Sequence, residues 1–250
     1  MPFFDHIGEL RRRLIIIAAV ILIGSSTLYF WAPQIYDFIM KPILTIPALA
    51  DKPMNILGPW GTFGLRFTVA LYATIIIGSP IILWQVMAFF LPALKPKERK
   101  FVIPTFFAML ILFAGGVVFC YWKILATAFG WMVAQAWGSV QVLPDARLYF
   151  SGATLLMLGF GLAFELPVVV FYLVMFNIVP YAKLRENWRI VYVSLMFVAS
   201  IATPDWSPVT MGALFAALLG LYEGSMALAR VLLRKRIAQQ KALGYDVELD

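Results

Sequence analysis

Long apolar runs separated by short polar segments are the main pattern along this chain. There are six such runs, and the last two, residues 190–203 and 209–222, have only 14 residues each, about 21 Å of helix. We expect both to pack away from lipid or to thin the bilayer around them. The pattern predicts an all-α polytopic membrane protein with six transmembrane helices in one domain, residues 1–250. The four longer runs are residues 14–31, 63–90, 101–122 and 149–179.

The polar segments predict an N-terminal segment, two caps on the outer face and a cytoplasmic tail. The first is amphipathic, as is typical of a short helix lying on the membrane surface. The first cap is rich in proline, and we expect a short helix that begins at Pro33 and ends before Pro42, followed by stiff loops. The second cap contains an aromatic stretch typical of an interfacial helix. In chain order these segments are residues 1–13, 32–62, 123–148 and 229–250.

Glu165 lies near the centre of the longest apolar run, residues 149–179. As a helix this run is about 46 Å long, so the carboxyl falls at mid-membrane depth. A charge there costs on the order of 2.5–3.5 kcal/mol, so we expect a protein groove or a wet cavity around it. The alternative is a carboxyl bound by a neighbouring helix. Pro167 predicts a kink beside it, and Gly159 and Gly161 predict a close approach of another backbone or a guest segment. A second kink is predicted at Pro80.

Composition and charge place the chain in a membrane. The sequence is 62% hydrophobic and 13% charged with a net charge of +7, where soluble domains carry about 25% charged residues. The basic residues cluster on one side of the predicted spans, which puts both termini in the cytoplasm by the positive-inside rule. Because basic residues are needed at the cytoplasmic ends of the spans, the net positive charge does not indicate a nucleic-acid partner. The five on the other side are Lys41, Lys52, Arg66, Lys123 and Arg147.

The sequence contains no motif that indicates catalysis or cofactor binding. The sequence has one cysteine and one histidine, so it predicts neither an internal disulfide nor a histidine-based metal site. It contains no HExxH, GxSxG or glycine-rich phosphate loop, and we expect no enzyme and no cofactor. Two other classes remain open, namely a proton-coupled carrier that uses Glu165 as its relay and a scaffold without a ligand. The spans do not superpose as two halves, which disfavours the carrier.

Four blocks of the sequence resemble TatC, the multi-spanning component of the twin-arginine protein translocase. FFDHIGELRRRL is similar to the family's N-terminal HLxELRxR signature, and SPIILWQVMAFFLPALKPKER to its SPxxLYQxWxFxxPALxxxER loop. FELPVVV is similar to its FExP segment, and TPDWSP to its TPD turn. The blocks have the family's order and spacing over nearly the whole chain.

The resemblance implies a signal-peptide receptor in the inner membrane with kinked helices and a concave, glove-like face. It implies that folded precursors with twin-arginine signal peptides are exported using the proton-motive force. Partners would be single-span TatA-like and TatB-like proteins, membrane lipids and further copies of the chain. Two guanidinium groups need reachable carboxylates, which suits the implied site. The implied signal-peptide-binding residues are Glu9, Arg11, Phe89, Pro92, Glu98 and Arg99.

The resemblance also implies roles inside the membrane and at the outer face. Glu165 and Pro167 match an intramembrane pocket that contacts a signal-peptide hydrophobic region or a single-span partner. Val209 stands where many relatives have glutamine, and GPWGTF lacks an acid often found before the second span. Contacts at the outer rim are therefore the least specific part of the prediction. The implied structural positions are Pro47, Pro80 and Asp205.

Overall fold

The computed structural model is helical over nearly all of the residues that it describes. These residues are 3–50, 52–91, 99, 102–136, 143–176, 178–203, 207–234 and 237–238. The helices are α1 (Phe3–Leu28), α2 (Ala32–Leu44), α3 (Pro47–Ala50), α4 (Gly61–Ile77), α5 (Ser79–Phe90), α6 (Val102–Phe119), α7 (Leu125–Ala134), α8 (Ala146–Ala163), α9 (Leu166–Met175), α10 (Tyr181–Glu186), α11 (Trp188–Ala202) and α12 (Pro208–Leu232).

Helix lengths confirm a protein with several apolar helices long enough to cross a membrane. In the described part of the chain, four helical segments are long and apolar enough to cross a membrane. The bent pair α4 and α5 makes a fifth if it counts as one span. α11 has 15 residues and stays below that length, as the sequence predicts. The prediction of an equally short last span is wrong, because α12 continues past Glu223 to Leu232 and has 25 residues in total.

The N-terminal end of the fold differs from the sequence prediction. α1 runs from residue 3 to residue 28 without a break, so residues 3–13 extend the first span and do not form a separate surface helix. A 3-10 turn over Tyr29–Trp31 leads from α1 into α2. α2 also continues through Pro42 instead of ending before it. Pro42 lies in the last turn and lacks the N–H that would bond the carbonyl of Phe38, and the hydroxyl of Tyr121 donates to that carbonyl at 2.8 Å instead.

Two predicted kinks are present, and each lies where a proline follows a short break. The axes of α4 and α5 differ by 56° around Gly78, and a turn at Phe164 and Glu165 separates α8 from α9. Pro80 and Pro167 each occupy the first turn of the following helix, where proline is tolerated because no intrahelical donor is lost. The bends therefore follow from local sequence.

Close backbone packing joins α6 and α8. A Cβ atom on Gly116 would collide with the backbone of Phe160 and Gly161, and one on Gly161 would press against Phe113. A Cβ on Gly159 would collide with the carbonyl oxygen of Ala202 on α11. Small residues let membrane helices approach at such crossings. The close approach predicted at Gly159 and Gly161 is confirmed, and helices of the same chain supply it.

Hydrogen bonds join the two segments that were predicted as outer caps. The backbone amide of Asn55 donates to the carbonyl of Pro144 at 2.8 Å, and the amide of Ala146 donates to the carbonyl of Asn55 at 2.9 Å. Asp145 caps α8 by accepting from the amide of Leu148 at 2.8 Å. These bonds fix the start of α8, and with it the helix that leads down to Glu165.

Candidate functional site

Glu9 on α1 belongs to a three-residue polar cluster with Arg13 and Gln85. The Nη2 atom of Arg13 lies 3.1 Å from Glu9 Oε1, one helical turn away. The Nη1 atom of Arg13 donates to Oε1 of Gln85 on α5 at 2.9 Å. Among the described residues, Glu9 is therefore paired through one oxygen, Oε1. Its side chain keeps 22% of its surface exposed.

α1 runs antiparallel to α4 and α5, and this places Glu9 and Phe89, two of the implied signal-peptide-binding residues, at the same end of the fold. Gly24 faces Thr74, Val20 faces Gly78 and Arg13 bonds Gln85, so each step back along α1 is a step forward along the bent pair. Glu9 lies one turn before Arg13, and Phe89 lies one turn after Gln85. The fold therefore brings together the ends of α1 and α5 that carry Glu9 and Phe89.

The other implied signal-peptide-binding residues are only partly within the described chain. Arg11 and Arg99 are exposed, and Phe89 is half-buried. Pro92 and Glu98 lie outside the described residues, so their part in the site stays a prediction. The sequence predicts Arg13 only as one of the basic residues that cluster on the cytoplasmic side, and it predicts no role for Gln85. The spacing of Glu9 and Arg13 by four residues could have predicted their pair, whereas no local signal points to Gln85.

Glu165 is a buried carboxyl without a hydrogen-bond partner in the part of the chain that the structure describes. The residue is 8% exposed, and neither Oε1 nor Oε2 accepts a bond from a described group. Its backbone amide donates to the carbonyl of Leu162 at 3.1 Å, which closes the turn before α9. The alternative of a carboxyl bound by a neighbouring helix is thus not what the described residues show. Pro167 is half-buried two residues further on.

Two of the three positions implied at the outer face and the kink lie in the first turns of helices, and their structural role stays a prediction. Pro47 is exposed and begins the short helix α3. Pro80 is exposed in the first turn of α5, directly after the bend. Asp205 lies outside the described residues. No described contact assigns a ligand to these positions.

Glu223 on α12 forms a second polar cluster, which the sequence did not predict. Its Oε2 accepts from Arg185 at 2.7 Å and its Oε1 accepts from Tyr192 at 2.8 Å. The hydroxyl of Tyr222 donates to the carbonyl of Leu184 at 2.9 Å. The bond to Glu223 raises the pKa of Arg185, which lies in the loop helix α10. Both oxygens of this carboxylate are used to join α10, α11 and α12.

The carboxylates of these sites can bind a cationic guest, and the apolar helices beside them can bind an apolar one. No group of three or more His, Cys, Asp or Glu side chains that could hold a metal ion lies among the described residues. Glu165 is the one buried carboxyl in that part of the chain. A carboxylate with a free oxygen at a helix end can accept a charge-assisted hydrogen bond from a guanidinium. The arrangement therefore fits recognition.

Comparisons with known proteins point in the same direction. The family model for the Sec-independent protein translocase protein TatC matches residues 5–216. The TatC protein of Deinococcus radiodurans is 30% identical over 232 residues, covering 92% of this chain and 86% of that protein. The chloroplastic TATC protein of Pisum sativum is 34% identical over 225 residues, covering 90% of this chain and 62% of that protein.

The fold also resembles a solved structure over most of its length. A crystal structure described as the twin arginine translocase receptor TatC in DDM is 29% identical, with a TM-score of 0.74. The match covers 90% of this chain and 99% of the crystallised chain. TatC is a transport protein and a translocase component, so the prediction of a multi-pass membrane protein that is not an enzyme is confirmed. The chain belongs to the TatC family of Sec-independent protein translocase proteins.

Proposed function

We propose that this chain is the signal-peptide receptor and core of a twin-arginine translocase. It binds the arginine pair of a folded precursor's signal peptide at the rim formed by α1, α5 and residues 92–99. The observation that carries the proposal is the antiparallel pairing of α1 with α4 and α5, which brings Glu9 to the same end as Phe89. Further support is the exposed carboxylate surface of Glu9, because a guest guanidinium needs a reachable oxygen.

The roles of the individual residues follow from their placement. Glu9 accepts hydrogen bonds from one guest guanidinium. Glu98, in the loop between the second and third spans, accepts hydrogen bonds from the second. Phe89 packs against the guest chain between them. Arg11 and Arg99 repel any cationic guest, so binding requires bonds to the carboxylates that are strong enough to offset this repulsion, and the bidentate geometry of guanidinium supplies them better than an ammonium group does. Pro92 shapes the loop between the second and third spans.

Glu165 forms the second half of the proposed binding surface. The hydrophobic region of a signal peptide, or a single-span partner of the TatA or TatB kind, binds along the break between α8 and α9. An unpaired buried carboxyl is costly in lipid and is kept where a membrane protein uses it. A carrier is disfavoured, since proton relays need chains of acids or histidines and Glu165 is the one buried carboxyl among the described residues.

The proposal includes a topology and an energy source. The chain crosses the inner membrane six times with both termini in the cytoplasm, and α11 is the short span that thins the bilayer or packs on its neighbours. The bent helices form a concave, glove-like face, and Pro47 and Asp205 shape its outer edge. Single-span partners and further copies of the chain complete the translocase, and the proton-motive force drives export.

Site-directed photocrosslinking in intact membranes tests the receptor role. Gly8 precedes Glu9, and a side chain built there meets no atom within 4 Å, so it accepts a benzophenone residue. We expect capture of a precursor with Arg-Arg and loss of capture when the pair is Lys-Lys. A probe at Trp60, which is 81% exposed at the start of α4, serves as the control and captures neither. Equal capture of both precursors from Gly8 contradicts the proposal.

A further inference from the structure

Gln85 is a polar side chain inside a largely apolar helix. The residue is 8% exposed, and its neighbours Leu83, Met87 and Ala88 on α5 are buried apolar residues. Burying an amide costs free energy unless the amide is hydrogen-bonded. Gln85 Oε1 is bonded by accepting from Arg13 Nη1 at 2.9 Å, across 72 residues of sequence.

The guanidinium of Arg13 is divided between two acceptors. Nη1 points to Gln85, Nη2 points to Glu9 at 3.1 Å, and Nε is buried with no partner among the described residues. Arginine and carboxylate groups often pair by two parallel hydrogen bonds. A second bond to Glu9 could come from Nη1 or from Nε. Gln85 takes Nη1 and fixes the guanidinium in an orientation in which Nε bonds no described group. Arg13 consequently occupies Glu9 through one oxygen.

The second oxygen of Glu9 remains available. Oε2 accepts no hydrogen bond from a described group, and the side chain is 22% exposed. If Gln85 were apolar, Arg13 would lose the acceptor for Nη1, and the same nitrogen would turn to Oε2 of Glu9. The carboxylate would then be neutralised on both oxygens by its own chain.

We propose that Gln85 is a positioning residue for recognition of the arginine pair. It restrains the Arg13 guanidinium so that Glu9 keeps one oxygen oriented toward a guest guanidinium. This inference rests on the proposed receptor function. It goes further by assigning specificity to a buried amide that contacts no guest. A clamp between α1 and α5 without this role would affect all guests alike.

The test is a pair of affinities measured on the full chain in nanodiscs. Fluorescent signal peptides with Arg-Arg and with Lys-Lys are titrated against wild type and Gln85→Leu. We expect Gln85→Leu to weaken Arg-Arg binding by about tenfold and to leave Lys-Lys binding within about twofold. Gln85→Glu keeps an acceptor for Arg13 and should keep the wild-type ratio. The control is Thr74→Val, which removes a buried hydroxyl bonded only to its own helix and should change neither affinity.

Two further variants keep the inference falsifiable if Gln85→Leu folds poorly. Arg13→Lys replaces the fork by one nitrogen, and we expect the Arg-Arg preference to fall as in Gln85→Leu. In a Glu9→Gln background, Gln85→Leu should have no further effect on the ratio. An unchanged ratio in both Gln85→Leu and Arg13→Lys overturns this inference and leaves the receptor function standing. Equal affinities for the two peptides in wild type overturn both.

Discussion

Replacing Glu165 by methionine should stabilise the fold. The residue is 8% exposed and both of its oxygens lack a partner among the described residues. A buried polar group left unpaired costs about 1–3 kcal/mol, and methionine has a similar length without the polar atoms. A gain of that size raises the melting temperature by roughly 2–12 °C for a chain of this size. We expect export to be lost in the same variant, because the guest meets no carboxyl.

Glu223→Met is the matched control in the same thermal denaturation assay in detergent. Glu223 lies on α12, one of the candidate spans of the structure, but Arg185 and Tyr192 bond both of its oxygens. Its replacement should lower the melting temperature, because two donors lose their acceptor. The reasoning is refuted if Glu165→Met melts below wild type, since the carboxyl would then have a stabilising partner in the folded chain.

Two further predictions use the same melting assay. Gly116→Val should lower stability by about 1–3 kcal/mol through overpacking against the backbone of α8, whereas Gly115→Val, where an added Cβ meets nothing within 4 Å, should be nearly neutral; similar losses in both would contradict the packing argument. Asp145→Ala should cost about 1 kcal/mol by removing the cap of α8, and Asp145→Asn should retain most of it; an unchanged melting temperature in Asp145→Ala would show that the cap contributes nothing.

The bends were predictable from the sequence because their causes are local. Pro80 and Pro167 each restrict the backbone within one turn of their own position, and both breaks appear there. The end of α12 was not predictable from the apolar run, because Glu223 looks like the exit from the membrane. The helix continues past it since Arg185 and Tyr192, which lie 38 and 31 residues away, bond the carboxylate.

The candidate site was predictable in part, and the missing part depends on distant pairs. Glu9 follows from the family signature in FFDHIGELRRRL, and Glu165 follows from an acid in a long apolar run. Gln85 does not, because its role comes from a bond to Arg13 that only the antiparallel register of α1 and α5 creates. The separate surface helix expected over residues 1–13 failed for a related reason. No proline breaks the backbone hydrogen bonds between residues 3 and 28, so amphipathic and apolar stretches join in one helix.

The most direct test of the central claim maps where one bound signal peptide touches the chain. A photoreactive residue is placed beside the arginine pair of a precursor, or about twelve residues later in its hydrophobic region, and the captured fragments are identified by mass spectrometry. The account predicts capture of α1 and the end of α5 by the first probe. The second probe should capture residues 146–176 around Glu165. Both captures should be lost when the pair is Lys-Lys. Capture of the same fragments by the Lys-Lys precursor, or of neither region by the Arg-Arg precursor, would contradict the account.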